Sequence, residues 1–193
     1  MDVNIKEITG VWKLGYSLDK HTTSSTPIGE NAYGHMQFNT IRPEAGEALF
    51  QLKYRSNYTQ VAIIAQQMHA SLGGVFASVG LIIPMPSSTP RARQPVVEIA
   101  REVARLKGVP CYENLLVKTS ATLPMKDIPL REEKVSALMG AFTVYDVLDG
   151  GPYDALIIDD LFDTGSSLEA ATNMLNGYTK INDIYVATVT RKR

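Results

Sequence analysis

Residues 156–167 read LIIDDLFDTGSS, and no other stretch restricts the possible folds as sharply. Leu156, Ile157 and Ile158 form an unbroken aliphatic run, the pattern of a strand covered on both faces. Asp159 and Asp160 close that run, a turn of small and hydroxyl-bearing residues follows, and SSLEAATNML then repeats its apolar residues at helical spacing. A buried strand passing through a tight turn into a helix is half of a βαβ unit, so a parallel sheet is expected. Ligands in such sheets sit beyond the carboxyl ends of the strands, where the two aspartates fall. Successive strand side chains point to opposite faces. Both carboxylates are therefore expected to reach one ligand only if the strand is already breaking into the loop.

The rest of the chain fits that frame. Trp12, Leu14, Tyr16 and Leu18 alternate with polar or small residues, as do Met36 and Phe38. With the polar connection DKHTTSSTPIGEN between them, residues 11–39 read as two antiparallel strands joined by a long loop. Two helices follow, one lined by Ala45, Leu49 and Leu52, the next by Val61, Ile64, Ala65, Met68 and Leu72. VGLIIPMP is a buried strand stopped by Pro84 and Pro86, and Val96, Ile99, Ala100, Val103 and Leu106 mark a third helix. NLLVK, GAFTVYDVL, DALIIDD and DIYVATVT supply further strands. TSATLPMKDIPLREEK has two prolines and little periodicity, the mark of either a functional lid or disorder. The expected fold is α/β: a mostly parallel twisted sheet flanked by helices, with an N-terminal antiparallel hairpin or hood. Residues 1–193 are expected to form one domain, with 1–40 as the hairpin region and 41–193 as the core.

Composition narrows the function classes. The chain has 193 residues, 45% of them hydrophobic, and a formal net charge of −1, so no global basic field favours nucleic acid. The only cysteine, Cys111, leaves no internal disulfide framework and no cysteine-based zinc ribbon. No apolar run approaches the ~18 residues of a membrane span, and the start lacks a secretory signal pattern. A cytoplasmic protein without membrane partners is expected. His21, His35 and His69 lack metal-ligand spacing. Trp12 and Tyr16 are candidates to stack on a base, although strand spacing is more often that of core residues; Lys53-Tyr54-Arg55 reads as the charged end of a helix, and Arg101, Arg105 and Lys107 as a solvated helix face.

The chemistry concentrates in the opening stretch. The turn at residues 163–167 feeds a helix whose free N–H groups and dipole favour an anion. Gly165 permits close backbone approach, and Thr164, Ser166 and Ser167 add hydroxyl donors. Three aspartates would repel that anion unless they serve another part of the same ligand. A sugar phosphate resolves the conflict: the carboxylates accept from ribose hydroxyls or touch magnesium, and the turn holds the 5′-phosphate. A Walker B strand also ends in acids, but neither GxxxxGK[ST] nor GxGxxG occurs in the chain. A receiver-type acidic pocket would place its acid pair near the first strand. Simple helix capping by Asp159 and Asp160 leaves the attached DTGSS unexplained.

IIDDLFDTGSSL resembles the 5-phosphoribosyl-1-pyrophosphate (PRPP) motif of type I phosphoribosyltransferases: apolar residues, two acids, two variable residues, then a phosphate loop. Over residues 45–193 the chain is similar to the ComF family of phosphoribosyltransferase-like proteins associated with competence. LKYR at 52–55, IIPMP at 82–86, RQPVVEIA at 93–100 and GAF at 140–142 carry that similarity. It lacks the cysteine-rich zinc ribbon with which many ComF proteins begin, so the hairpin region is expected in its place as a lid or hood. It also has RARQP where many members carry an Arg-Gly-Phe-Asn-Gln-like segment.

The resemblance implies a division of labour. Asp159 and Asp160 bind the ribose hydroxyls and contact Mg2+, which is held mainly by PRPP itself. Asp163, Thr164, Gly165, Ser166 and Ser167 hold the 5′-phosphate. Ser87, Ser88, Arg91 and Arg93 follow IIPMP as the pyrophosphate loop. Residues 119–134 form a mobile catalytic loop that brings Lys126 and Arg131 to the leaving pyrophosphate. Asp163 is either catalytic, as in purine-salvage enzymes, or a turn stabiliser. The implied function is transfer of ribose 5-phosphate from PRPP to a small-molecule nitrogenous base or amine, with homodimerisation common among type I relatives. The alternative is a non-catalytic PRPP-binding regulator or a ComF-like competence or DNA-uptake protein.

Overall fold

The computed structural model describes residues 1–87, 89, 91–119, 128 and 130–192. Its main sheet has five strands in the order β1 (Lys6–Glu7), β2 (Leu14–Lys20), β9 (Ile181–Arg191), β8 (Tyr153–Phe162) and β5 (Leu81–Pro84). β2, β9, β8 and β5 are mutually parallel, and β1 turns back antiparallel at the edge. Beyond β5, Cys111 makes one further parallel bridge to Ile82. Because strand side chains alternate, β8 feeds two cores. Leu156 and Ile158 pack with α1 (Glu44–Arg55), α2 (Gln60–Leu72) and α3 (Pro95–Lys107), whereas Ala155 and Ile157 pack with α4 (Arg131–Met139) and α5 (Ser166–Asn176).

Local chemistry sets the helix limits. α1 carries Glu44 and Glu47 in its first turn and Lys53 and Arg55 in its last, the polarity that suits its dipole. α3 opens on Pro95, whose missing N–H costs nothing there, and closes on the left-handed Gly108.

The N-terminal antiparallel hairpin is present, but its strands differ from the expected pair. It consists of β3 (Ser24–Glu30) and β4 (Met36–Ile41), while the segment expected to pair with 34–39 is β2, in the main sheet beside β9. The alternation of β2 is that of a strand that needs an interior, and Leu18 is fully buried. β3 has no buried residue at all, so its sequence shows no period and reads as a loop. A second difference lies at 131–134, expected in a mobile loop. These residues form the first turn of α4, which buries Val135 and Leu138. β6 (Leu116–Lys118) and β7 (Phe142–Val144) pair with each other as a separate antiparallel ribbon rather than extending the main sheet.

Candidate functional site

β5 stops at Pro84, and its last link to β8 is the Met85 N–H donating to the Ile158 carbonyl at 2.8 Å. β8 does not break there. It continues through Asp159 and Asp160 to Phe162, paired with β9 on its other side. A cavity of about 260 Å³ lies against this stretch of β8, and both aspartates line it. The strand was expected to break at the aspartates, yet both border one cavity while β8 runs on through them. The pairing of β5 with β8 ends at Pro84 and Ile158, so the two aspartates lie just beyond the end of β5, where the cavity opens.

The two carboxylates differ. Asp160 is ion-paired at 2.5 Å to Lys53, in the last turn of α1. Asp159 accepts the Asp160 backbone N–H at 2.8 Å. Burial, and then the neighbouring Asp160 charge, push the Asp159 carboxyl up to about 7, against a smaller opposing pull from Lys53. Arg91 and Lys118 line the same cavity. Arg91 donates to the Lys53 carbonyl at 2.9 Å, which ties the segment after β5 to α1. Burial pulls the Lys118 ammonium below its ordinary range. With Lys53, three cationic side chains line a cavity that holds two carboxylates, so the motif is acidic but the cavity is not. Leu138 and Phe142 supply an apolar wall.

The turn after β8 leads straight into a helix. Gly165 has φ 80°, and a side chain there would meet the Phe162 ring at 2.9 Å, so both backbone and space demand glycine. α5 begins immediately after it, and Ser167 in its first turn lines the cavity together with the acid pair. Thr164 and Ser166 hydroxyls bond each other at 3.1 Å. Asp163 is exposed, and its carboxylate pairs with Lys192, just after β9, rather than lining the cavity.

Other expected residues are distributed unevenly. Ser87 lines the cavity, and its hydroxyl bonds the Thr89 backbone at 2.9 and 3.2 Å. Arg93 does not line it: the guanidinium pairs with Glu98 at 2.8 Å and stacks 3.8 Å from the Tyr58 ring. Arg131 pairs at 2.6 Å with Glu169 of α5, close to Gly165, and it too is outside the cavity lining. Ser88 and Lys126 lie outside the described residues, as does most of 119–134. Sequence reasoning missed Lys53, Lys118 and Gln94 as cavity residues. LKYR was the only available signal for Lys53, and it reads equally well as an ordinary helix end.

For magnesium, the donor set is two adjacent carboxylates, and no group of three metal-binding side chains occurs among the described residues. That set suits an ion that takes one or two protein carboxylates and fills its remaining positions with phosphate and water. Cys111 offers no nucleophile: burial pushes its thiol up to about 11. No helix among the described residues is long and apolar enough to cross a membrane.

No family model matches the chain, and no curated protein matches it in sequence. Among solved structures it is similar to adenine phosphoribosyltransferase from Saccharomyces cerevisiae, at 15% identity over 86% of this chain and 84% of that one, TM-score 0.46. It is similar to a hypoxanthine phosphoribosyltransferase from Staphylococcus aureus, at 16% identity over 69% of this chain and 66% of that one, TM-score 0.42. It is also similar to UMP synthase from Leishmania donovani, at 15% identity over 83% of this chain, TM-score 0.39, where it spans about a quarter of the other protein (26%). The neighbours in structure are thus phosphoribosyltransferases and a UMP synthase, and what this chain binds has to be read from its own cavity.

Proposed function

We propose that this protein binds PRPP with magnesium and transfers its ribose 5-phosphate to a nitrogenous base or amine, releasing pyrophosphate. One observation carries the reading: an acid pair, a cation-lined wall and the N-terminus of α5 converge on one cavity. A ligand matching all three has a diol, a phosphate on one side of it and a second anionic group on the other. Asp159 and Asp160 accept from the ribose hydroxyls, and the cradle at Gly165–Ser167 takes the 5′-phosphate. Arg91, Lys118 and Ser87 face the pyrophosphate. Asp159 and Asp160 would be the protein contacts of a magnesium ion, which would supply charge neutralisation to the pyrophosphate.

In the reaction the C1–O bond breaks with both electrons leaving on pyrophosphate, and the acceptor nitrogen supplies the pair for the new C1–N bond. The acceptor's proton passes to water. Negative charge on the leaving oxygen grows toward the transition state, so cations fixed beside it accelerate bond breaking. Residues 1–193 are read as one phosphoribosyltransferase-like domain, with a cytoplasmic location and homodimerisation as further parts of the proposal. Asp163 is assigned a structural role, pairing with Lys192 just after β9.

A second reading, a PRPP-binding regulator or ComF-like protein without turnover, is favoured by the pairing of Arg131 with Glu169 rather than with the cavity lining. Calorimetry with magnesium and PRPP, followed by a screen of pyrophosphate release over bases and amines, separates the two. Binding with release in the presence of one acceptor is the expected result. Binding without release selects the regulator, and absence of binding at millimolar PRPP removes both.

A further inference from the structure

Resting on that reading, we infer that Lys53 is a substrate-binding and catalytic residue: it bridges Asp160 and the pyrophosphate group at ribose C1. The pair it makes is half-buried, with Lys53 23% and Asp160 16% exposed, and both side chains line the cavity rather than open solvent. An ammonium carries three donors and no acceptor. Among the described residues the Lys53 ammonium bonds Asp160 alone, so two N–H groups remain for a ligand. Its backbone is held on both sides, by the helix on one and by the Arg91 guanidinium on its carbonyl at 2.9 Å on the other. The last turn of a helix also favours a cation at this place.

Ligand geometry supplies the rest. In PRPP the pyrophosphate stands on C1, cis to the hydroxyl on the adjacent C2. A carboxylate that accepts from the C2 hydroxyl therefore lies next to the pyrophosphate's bridging oxygen. A cation hydrogen-bonded to that carboxylate is therefore placed beside the breaking C1–O bond. Asp160 keeps enough acceptor sites to serve the diol and Lys53 together. As the C1–O electrons move onto pyrophosphate, the ammonium faces a growing negative charge and holds the transition state more tightly than the ground state. Lys53 also explains why an acid pair tolerates a multiply charged anion one carbon away.

The test compares three probes on wild type and Lys53→Gln by calorimetry: magnesium with PRPP, magnesium with pyrophosphate, and ribose 5-phosphate, which has the diol and the phosphate but nothing anionic at C1. Loss of one charge-assisted hydrogen bond should weaken the first two by roughly 10- to 100-fold. Ribose 5-phosphate should bind as before, and Lys53→Arg should restore part of the loss. Equal weakening of all three probes would make Lys53 a mere support for Asp160 and overturn the inference, as would unchanged PRPP affinity. If wild type binds none of the probes, the functional reading itself falls first. A measurement on wild type covers poor folding of the variant: magnesium with pyrophosphate should slow acetylation of Lys53, read by peptide mass, and no protection counts against the bridge.

Discussion

The acidic side of the cavity comes from one strand and the turn after it, whereas its cationic side comes from three elements far apart in the chain. Asp159, Asp160 and Ser167 lie within nine consecutive residues. Lys53 sits at the end of α1, Arg91 follows β5, and Lys118 ends β6. The first group is fixed by local rules: a buried strand, a glycine that alone fits φ 80°, and a helix start. The second is fixed only when the sheet, α1 and the β6–β7 ribbon have assembled. Local encoding places the two carboxylates and the helix start, and tertiary assembly brings the cations that balance them.

The largest expected effect breaks the locally encoded side. Gly165→Val places a β-branched residue where φ is 80° and a Cβ would meet Phe162 at 2.9 Å. Strain of about 1–3 kcal/mol at the cradle should lower stability and move the α5 amides out of register with a phosphate. PRPP binding should become undetectable by calorimetry. Asp160→Ala should be nearly as severe, because it removes a diol acceptor and leaves Lys53 half-buried without its carboxylate. A variant of either kind that binds PRPP within about threefold of wild type would show that the motif does not hold the ligand.

A smaller effect is expected on the assembled side. Arg91→Ala removes one exposed guanidinium and its bond to the Lys53 carbonyl. Affinity for PRPP should drop by about tenfold, near the low end for a charge-assisted hydrogen bond, with stability nearly unchanged. Arg93→Ala is the control. Its guanidinium serves Glu98 and Tyr58, so binding should move little. Reversal of that order would place the pyrophosphate on the α3 side instead.

How much was legible follows the same division. The strand–turn–helix unit, the parallel sheet and the apolar faces of α1, α2 and α3 repeat patterns that a few consecutive residues carry, and the structure has them. Lys53 was legible as a helix end but not as a partner of Asp160, because 107 residues separate the two and no local pattern spans that gap. Continuation of β8 through both aspartates was hidden for a similar reason. Whether a strand breaks at a carboxylate depends on its neighbours, here β9, which runs on beside it, and β5, which does not. β3 left no trace because a strand exposed on both faces needs no alternation.

The acid pair itself predicts a pH dependence. Asp159 has its carboxyl raised from 3.8 to about 7 by burial and by Asp160. In the folded protein it stays protonated across an interval where the unfolded chain has already lost the proton. Folding thus binds a proton between these values, and stability should fall as pH rises from about 4 to about 7. Asp159→Asn, which cannot ionise, should flatten that part of the profile in denaturant melts. Binding should run the other way: a diol or magnesium favours the ionised carboxyl, so PRPP affinity should increase up to pH ~7 with proton release. Titrations in buffers of different ionisation enthalpy would detect that release, and a pH-independent Kd from 5 to ~8 would count against Asp159 as a contact.

The smallest expected effect lies in the hairpin, which shares neither kind of encoding with the cavity. Phe38 is 55% exposed and faces Pro27 across the β3–β4 pair, with no part in either core. Isolated two-stranded hairpins are marginal in water, so this ribbon adds little to the free energy of the sheet. Phe38→Ser should change unfolding free energy by less than about 0.5 kcal/mol and leave PRPP affinity unaltered. Urea melts on wild type and variant check the first expectation, and calorimetry checks the second. A loss of affinity with unchanged stability would instead make the hairpin a lid over the acceptor. That result would extend the tertiary side of the comparison from charge to shape, because a hairpin contacting the ligand from residues 24–41 would be a fourth distant element at the cavity.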